Sequence, residues 1–424
     1  MGKRILGLDL GTSSIGWTLV ELDTVTKVLG GGTPKTSVND YWGNDIIWVS
    51  PTDLPEIGKI TSIITSKKKI STLGLSKSSA KLLPKGTVLF SSRASIGKIG
   101  IAEKEVCTNQ GFTNFICDEK ILSNYFLAYC LKYNIRNITA LSNSTTFKEI
   151  SKTAIKKFKI PLPPLAEQQR IVSRLDALFE KIDRAIALLE ENIAHTQSLM
   201  GSVLDGEFMD IQKNFETLNK LSTKIGSGST PRGGQKSYKK QGISLIRSMN
   251  VHDNYFKIKN LAFIDDDQAT KLKNVEVYED DVLLNITGAS VARCCIVDSS
   301  YLPARVNQHV SIIRTSSSLL PKFLLYYLIS PTVKNKLLQD ASGNATREAI
   351  TKTMIQSFKV PVPSIAQQRE HIKKIDSSFR ITNKLKEQQT QKLEGLHALK
   401  GSLLDGVFKG GGKKKGVEWF LTRR

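Results

Sequence analysis

Two long stretches of the chain place apolar residues at alternating steps of three and four. The first runs through Val172, Leu175, Phe179, Ile182, Ile186, Leu189, Ile193, Thr196, Met200 and Val203, which is the stripe a helix presents to a partner helix in a coiled coil. The second holds Ile372, Ile375, Phe379, Thr382, Lys386, Gln389, Leu393, Leu396, Lys400 and Leu403 at the matching positions, so its seam is polar in the middle. Each stretch follows a proline pair, Pro161 and Pro163 or Pro361 and Pro363. These hold the approach extended and keep the helix from running backwards. Roughly 37 helical residues at about 1.5 Å each give a rod of about 55 Å.

Elsewhere the pattern is mixed. The short apolar runs "TVLFSS" at 87–92 and "DVLLNIT" at 281–287 are bounded by Gly or charged residues, as buried strands are. "SNYFLAYCLKY" at 123–133 and "PKFLLYYLIS" at 321–330 carry the crowded apolar face of a core helix. These runs come in pairs because the whole chain is a repeat. "KFKIPLPPLAEQQ" at 157–169 returns as "SFKVPVPSIAQQR" at 357–369, and "GSVLDGEF" at 201–208 as "GSLLDGVF" at 401–408, both 200 residues later. Upstream the offset drifts: "GGTPKT" at 31–36 faces "GSTPRG" at 228–233, and Asn109-Gln110 faces Asn307-Gln308. The expected architecture is α/β (α+β): two pseudo-repeated globular domains separated by two long antiparallel coiled-coil helices.

Charge narrows the partner. Sixty-one Lys and Arg against 39 Asp and Glu leave a formal charge of +22, which repels itself in a compact chain and points to a polyanion, nucleic acid first. The five cysteines, Cys107, Cys117, Cys130, Cys294 and Cys295, form no CxxC pair and have no His at zinc-ligand spacing; reduced, mostly buried thiols are expected. "FLLYYLIS" at 323–330 falls far short of the ~20 apolar residues that span a bilayer. The chain therefore reads as cytoplasmic, with no membrane partner.

Candidate DNA contacts collect in paired loops. Thr33, Lys35 and Thr36 in the first Gly-rich turn match Thr230 and Arg232; Arg93, Ser95 and Lys98 in "FSSRASIGKIG" match Thr287, Ser290 and Arg293 in "NITGASVARC". Ser50 and Arg247 follow the preceding apolar runs. Glycine lets backbone approach a phosphate, Ser and Thr donate to phosphate oxygens, and Arg reads guanine with two prongs. The Asn109-Gln110 and Asn307-Gln308 pairs can either hydrogen-bond an adenine or close a turn. "GGGTPKTS" is no nucleotide phosphate loop, because Pro34 stands where that loop needs glycine before its lysine.

Taken together, the Gly-Gly-Thr-Pro turn, "YWGNDIIWVSPTDL" at 41–54, "SSRASIGKIG", "TNQGF" at 108–112, the "IPLPPLAEQQRIV" junction and the "SLLDGVF" helix end resemble the specificity subunit of type I restriction-modification systems, from about Trp17 to Phe408. The resemblance implies two target recognition domains, each reading half of a split sequence in double-stranded DNA, and two helices that set the spacing. It implies two methyltransferase subunits docked on those helices, S-adenosylmethionine carried by them and not by this chain, and translocase-nuclease subunits completing the complex. The subunit itself is non-catalytic, and the chain shows no Asn-Pro-Pro-aromatic motif and no Walker loop. The domains expected are 17–160 and 210–360 for recognition, with spacer helices over 161–209 and 361–409.

The two ends read differently. "ILGLDLGTSSIGW" at 5–17 resembles the first RuvC motif of large CRISPR effector nucleases, in which the residue matching Asp9 binds a catalytic metal. One carboxylate cannot hold two metal ions, and the resemblance ends near Asp23. Residues 1–16 are therefore expected to be a foreign or recombined leader with Asp9 idle, with "WTLVELD" from Trp17 opening the first recognition domain and Phe215 matching it in the second. Residues 410–424 read as a basic flexible tail. The competing readings are a metal-dependent nuclease fragment using Asp9 and a coiled-coil interaction protein.

Overall fold

A computed structural model describes residues 17–142, 148–209, 211, 214–342 and 349–408. The expected leader, with Asp9, and the basic tail lie outside the described residues. The chain divides into two units, one of Met1–Leu188 with Leu393–Arg424 and the other of Leu189–Lys392.

Each unit is a mixed α/β fold built on the same plan. In the first, a sheet runs in the order Thr26–Gly30, Phe112–Cys117, Val88–Ser91, Ile99–Ala102 and Ile60–Ile63, beside a smaller sheet of Lys68–Ile70, Trp42–Val49 and Val106–Thr108. In the second, Ser222–Ser227, Val310–Thr315, Val282–Asn285 and Cys294–Ile296 form one sheet, and Ala262–Ile264, Ile243–Ile246, Ala304–Val306 and Glu276–Val277 the other. The central pairing repeats in register: Val88 faces Phe115 and Ser91 faces Phe112, as Val282 faces Ile313 and Asn285 faces Val310. The runs expected as buried strands, 87–92 and 281–287, are these fully buried central strands. The expected core helices are Asn124–Tyr133 and Pro321–Ile329. All five cysteines are free thiols, four of them buried, and burial raises Cys107 to about 11 and Cys295 to about 12.

The proline-flanked segments do what proline allows. Lys159–Leu162 pairs antiparallel with Thr18–Glu21, and Lys359–Pro361 with Phe215–Thr217; the helices start just beyond, at Leu165–Met209 and Ile365–Phe408. Register corrects one expected match. Leu19 faces Pro161 and Phe215 faces Pro361, so Phe215 takes the place of Leu19 rather than Trp17. Consistent with this, Trp17 is buried and Phe215 half exposed.

A buried amide joins each helix to its globular part. Gln168, with no solvent exposure, accepts from the Ser123 backbone N–H at 2.8 Å and donates from Nε2 to the Ile121 and Pro163 carbonyls, both at 2.8 Å. Gln368 repeats this with Leu320 N at 2.8 Å and the Ser318 and Pro363 carbonyls at 2.9 Å. Ser123 and Leu320 are the N-caps of the two core helices, so the amide ties the long helix to the start of the core helix. About two turns on, Tyr129 donates to Asp176 at 2.5 Å and Tyr326 donates to Asp376. Burial first, and then the carboxylate, push both phenols far above their ordinary value.

The helices run antiparallel within each unit. In the first, Leu403, Leu404, Val407 and Phe408 from the end of the second helix join a core with Phe126, Leu175 and Ile186, and the Phe408 ring stacks on Tyr133 at 5.2 Å. In the second, Leu204 and Phe208 pack with Phe323 and Tyr327. The polar middle of the seam is resolved by bonding. Thr196 donates to Gln389 Oε1 at 3.2 Å, while Lys386 stays exposed outside the seam. At the helix ends Ile171 and Leu204 are the buried residues, with Val172 and Val203 half-buried, because there each helix faces a globular part rather than a straight partner.

Lys132 and Lys400 lie over the Phe179 ring at 4.7 and 5.1 Å from its centroid. Burial, then the Lys400 charge, lower the Lys132 ammonium to about 8. The unfolded chain thus holds this proton more tightly than the folded one, and folding gains as pH rises from about 8 towards the ordinary lysine value. Lys132→Met is expected to be more stable than the parent at pH 7, with the advantage shrinking above pH 8 in paired melting curves; an advantage that does not change with pH would contradict this. Gln168→Leu strands one N–H and two carbonyls, and is expected to lower stability by about 2–4 kcal/mol in urea unfolding.

Candidate nucleic-acid interface

In both units a glycine-rich loop leaves an edge strand of the sheet that holds the buried central strand, and crosses another strand end at backbone distance. Gly32 N donates to Thr108 O at 2.8 Å, and Gly228 N to Asn307 O at 3.1 Å. A Cβ on Gly31 would lie 1.9 Å from Asn109 O, and one on Gly228 only 1.7 Å from Val306 O. Only glycine permits that crossing. It brings the Thr of the Gly-Thr-Pro turn onto the Asn-Gln turn: Thr33 donates to Gln110 Oε1, and Thr230 donates to Gln308 Oε1. Motifs some 77 residues apart in sequence thus form one exposed cluster, twice.

The Asn-Gln alternatives divide between the two residues. Asn109 Oδ1 accepts from Gly111 N at 2.9 Å and Asn307 Oδ1 from His309 N at 3.1 Å, so the asparagines close the turn. Gln110 and Gln308 remain exposed at its tip. The third loop joins through the backbone, with Ser92 N donating to Gly111 O at 2.8 Å and Ile286 N to His309 O at 3.0 Å. In the second unit it also joins through side chains. Gln308 Nε2 lies 3.2 Å from His309 Nε2, and His309 Nδ1 lies 2.5 Å from Thr287 Oγ1.

The other candidates sort by what already holds them. Ser50 donates to Asp53 Oδ2 at 2.7 Å, and its N–H meets the same oxygen at 2.8 Å. Arg247 occupies the same place in the second unit, its N–H bonded to Asn250 Oδ1 at 3.1 Å. Its guanidinium donates to Asn260 O at 2.5 Å and lies 5.3 Å from the Tyr238 ring centroid. Lys98 donates to the Pro51 and Leu54 carbonyls at 2.8 and 3.2 Å, so its ammonium braces a loop. Ser290 accepts from Asn285 Nδ2 at 3.1 Å, and the Ser95 carbonyl accepts from Ser91 Oγ at 2.5 Å. Arg93 lies 3.6 Å from Glu149 with both side chains about half exposed. Lys35, Thr36 and Arg232 are exposed and Arg293 half exposed. Burial, then the Arg293 and Lys257 charges, lower the His252 imidazole.

Three participants carried too little local signal to be named from sequence. His309 follows the Asn-Gln pair where the first unit has Gly111. Asp53 and Asn250 are ordinary turn residues until the fold places them under Ser50 and Arg247. Trp42, Asn39, Lys68 and Lys69 line a concavity of about 490 Å³ with Thr36, and Lys68 lies 5.4 Å from the Trp42 ring centroid. Among the described residues no group of three or more His, Cys, Asp or Glu could hold a metal ion, and no helix is long and apolar enough to cross a membrane.

Two like loop clusters on two like α/β folds define a protein built as a duplicated unit. The profile of the type I restriction modification DNA specificity domain matches residues 14–191 and 215–395, one match for each unit. The chain belongs to that family. It is 34% identical over 188 residues to the type I restriction enzyme MjaIX specificity subunit of Methanocaldococcus jannaschii, a match covering 43% of each chain. It is 22% identical over 433 residues to the EcoKI specificity subunit of Escherichia coli K12, covering 95% of this chain and 90% of that one. Among solved structures, a chain from work on complex assembly and conformational transition of the type I R-M system superposes with a TM-score of 0.75 at 21% identity, covering 94% of this chain and 99% of that one. The HsdS subunit from Thermoanaerobacter tengcongensis superposes at 0.56 and 20%, covering 94% and 98%. These two likenesses concern the fold.

The glycine crossing makes a prediction with an internal contrast. Gly228→Ala is expected to lower stability by about 1–3 kcal/mol, because its methyl cannot fit beside Val306 O. Gly206→Ala, in the first long helix with nothing within 4 Å of the new methyl, should raise it by about 0.5–1 kcal/mol. Urea unfolding of the two variants beside the parent reads both signs.

Proposed function

We propose that this chain is the non-catalytic DNA-specificity subunit of a cytoplasmic type I restriction-modification complex, each unit reading one half of a two-part duplex sequence. The observation that carries this is the Thr-Gln cluster, built twice from the same motifs in two units of one family. Around it stand side chains suited to phosphate, Lys35 and Arg93 in the first unit and Arg232 and Arg293 in the second. Gln110 and Gln308 present amides to base edges, while Asn109 and Asn307 hold the turn beneath them. An excess charge of +22 supplies the attraction to the backbone.

The long helices are assigned the spacing of the two half-sites and the docking of two methyltransferase subunits, with translocase-nuclease subunits completing the complex. Large apolar side chains left exposed on them support the docking role: Leu188 and Leu399 in the first unit, Leu199, Ile381 and Leu385 in the second. Methyl transfer and cleavage belong to those partners. The nuclease alternative would require Asp9 to gather further carboxylates, and the family assignment offers it nothing.

Selection from a random duplex library tests the reading, with the full chain alone and then with a candidate methyltransferase subunit. Two short blocks at fixed spacing, held with an affinity that falls steeply as salt rises, are expected. Retention of unrelated sequences, or binding insensitive to salt, would overturn it.

A further inference from the structure

The two units differ at one place inside an otherwise repeated cluster. After the Asn-Gln pair comes Gly111 in the first unit and His309 in the second. His309 bridges two loops there, with Nε2 3.2 Å from Gln308 Nε2 and Nδ1 2.5 Å from Thr287 Oγ1. Thr230 and His309 hold the Gln308 amide from two sides, and two proton orders satisfy every contact. In one, Thr230 donates to Gln308 Oε1, the Gln308 amide nitrogen donates to His309 Nε2, and Nδ1 donates to Thr287. In the other, Thr287 donates to Nδ1, Nε2 donates to Gln308 Oε1, and the amide nitrogen donates to Thr230.

An amide has two oxygen lone pairs and two N–H groups. In either order Thr230 and His309 together occupy one lone pair and one N–H. What remains on the exposed Gln308 is one acceptor beside one donor. That pair matches the major-groove edge of adenine, whose N6 amino group donates and whose N7 accepts. In the first unit Thr33 holds Gln110 on one side only, and glycine at 111 has no side chain to hold the other.

On the DNA-reading function proposed above, we infer that His309 is a positioning residue that holds the Gln308 amide in place from a second side, so that one adenine position in the second half-site is read more strictly than its counterpart in the first. His309 need not touch DNA to do this. It acts by taking away the side-chain freedom that Gln110, held by Thr33 alone, retains.

The experiment is selection and sequencing from a random duplex library with the full chain, the first block serving as control within each molecule. His309→Gly, which copies the first unit, is expected to reduce the adenine preference at one position of the second block about tenfold, leaving the first block unchanged. An unchanged second block overturns the inference. Should His309→Gly erase the second block entirely, Thr287→Val decides. It keeps the ring and removes only its anchor, so loss at the same single position supports the locking role and an unchanged profile overturns it. Gln308→Ala must abolish preference at that position. If it does not, Gln308 is not the reader and the inference falls while the two-part reading stands. A parent chain that enriches no two-part sequence would instead defeat the proposed function itself.

Discussion

The architecture depends on a side-chain amide buried where each long helix begins. A glutamine removed from water must satisfy its oxygen and both N–H groups locally or lose the stability that packing provides. Gln168 and Gln368 do so with one backbone N–H and two carbonyls each. Those partners belong to the loop before the core helix and to the proline-flanked approach, so the amide sets where the rod leaves the sheet. The tyrosine-aspartate bond about two turns further on fixes its rotation. With position and rotation both constrained, the apolar stripe of the helix has only one direction in which to face its partner.

The recognition loops obey a second constraint, a backbone crossing too close for any side chain. Gly31 and Gly228 let one loop pass another strand's carbonyls, and the threonines two residues later then reach the glutamines at the turn tips. Each cluster thus rests on the strand ends of its own sheets, which position side chains more firmly than free loops would. The same scaffold tolerates different residues around the cluster: Ser50 against Arg247, Lys98 against Arg293, Gly111 against His309. A fixed frame with variable neighbours lets two copies of one fold present different side chains at the same place.

Much of this was legible in the residues because periodicity and repetition are long-range signals. The seam positions, the proline breaks, the central strands and the pairing of motifs all follow from patterns spanning tens of residues. What escaped depends on single contacts. Gln168 and Gln368 sit in plainly repeated segments, yet nothing local says that their amides are buried rather than solvated. Lys98 reads as a phosphate contact until two carbonyls are found around its ammonium, and the Asn-Gln pairs remained ambiguous until one residue of each was seen closing its turn. Phe215 was matched to the wrong partner because an aromatic at a domain start is a weaker guide than strand register. His309 gave no signal at all, since its effect comes from two loops that meet only in the folded chain.

The end of the second helix has a consequence for the order in which the protein is made. Leu403, Leu404, Val407 and Phe408 belong to the core of the first unit, whereas the second unit is a continuous segment, Leu189–Lys392. On the ribosome, the part synthesised second can therefore complete its fold first. The part synthesised first must wait, its apolar patch around Phe126 and Tyr133 uncovered, until the segment through Phe408 emerges behind the completed second unit.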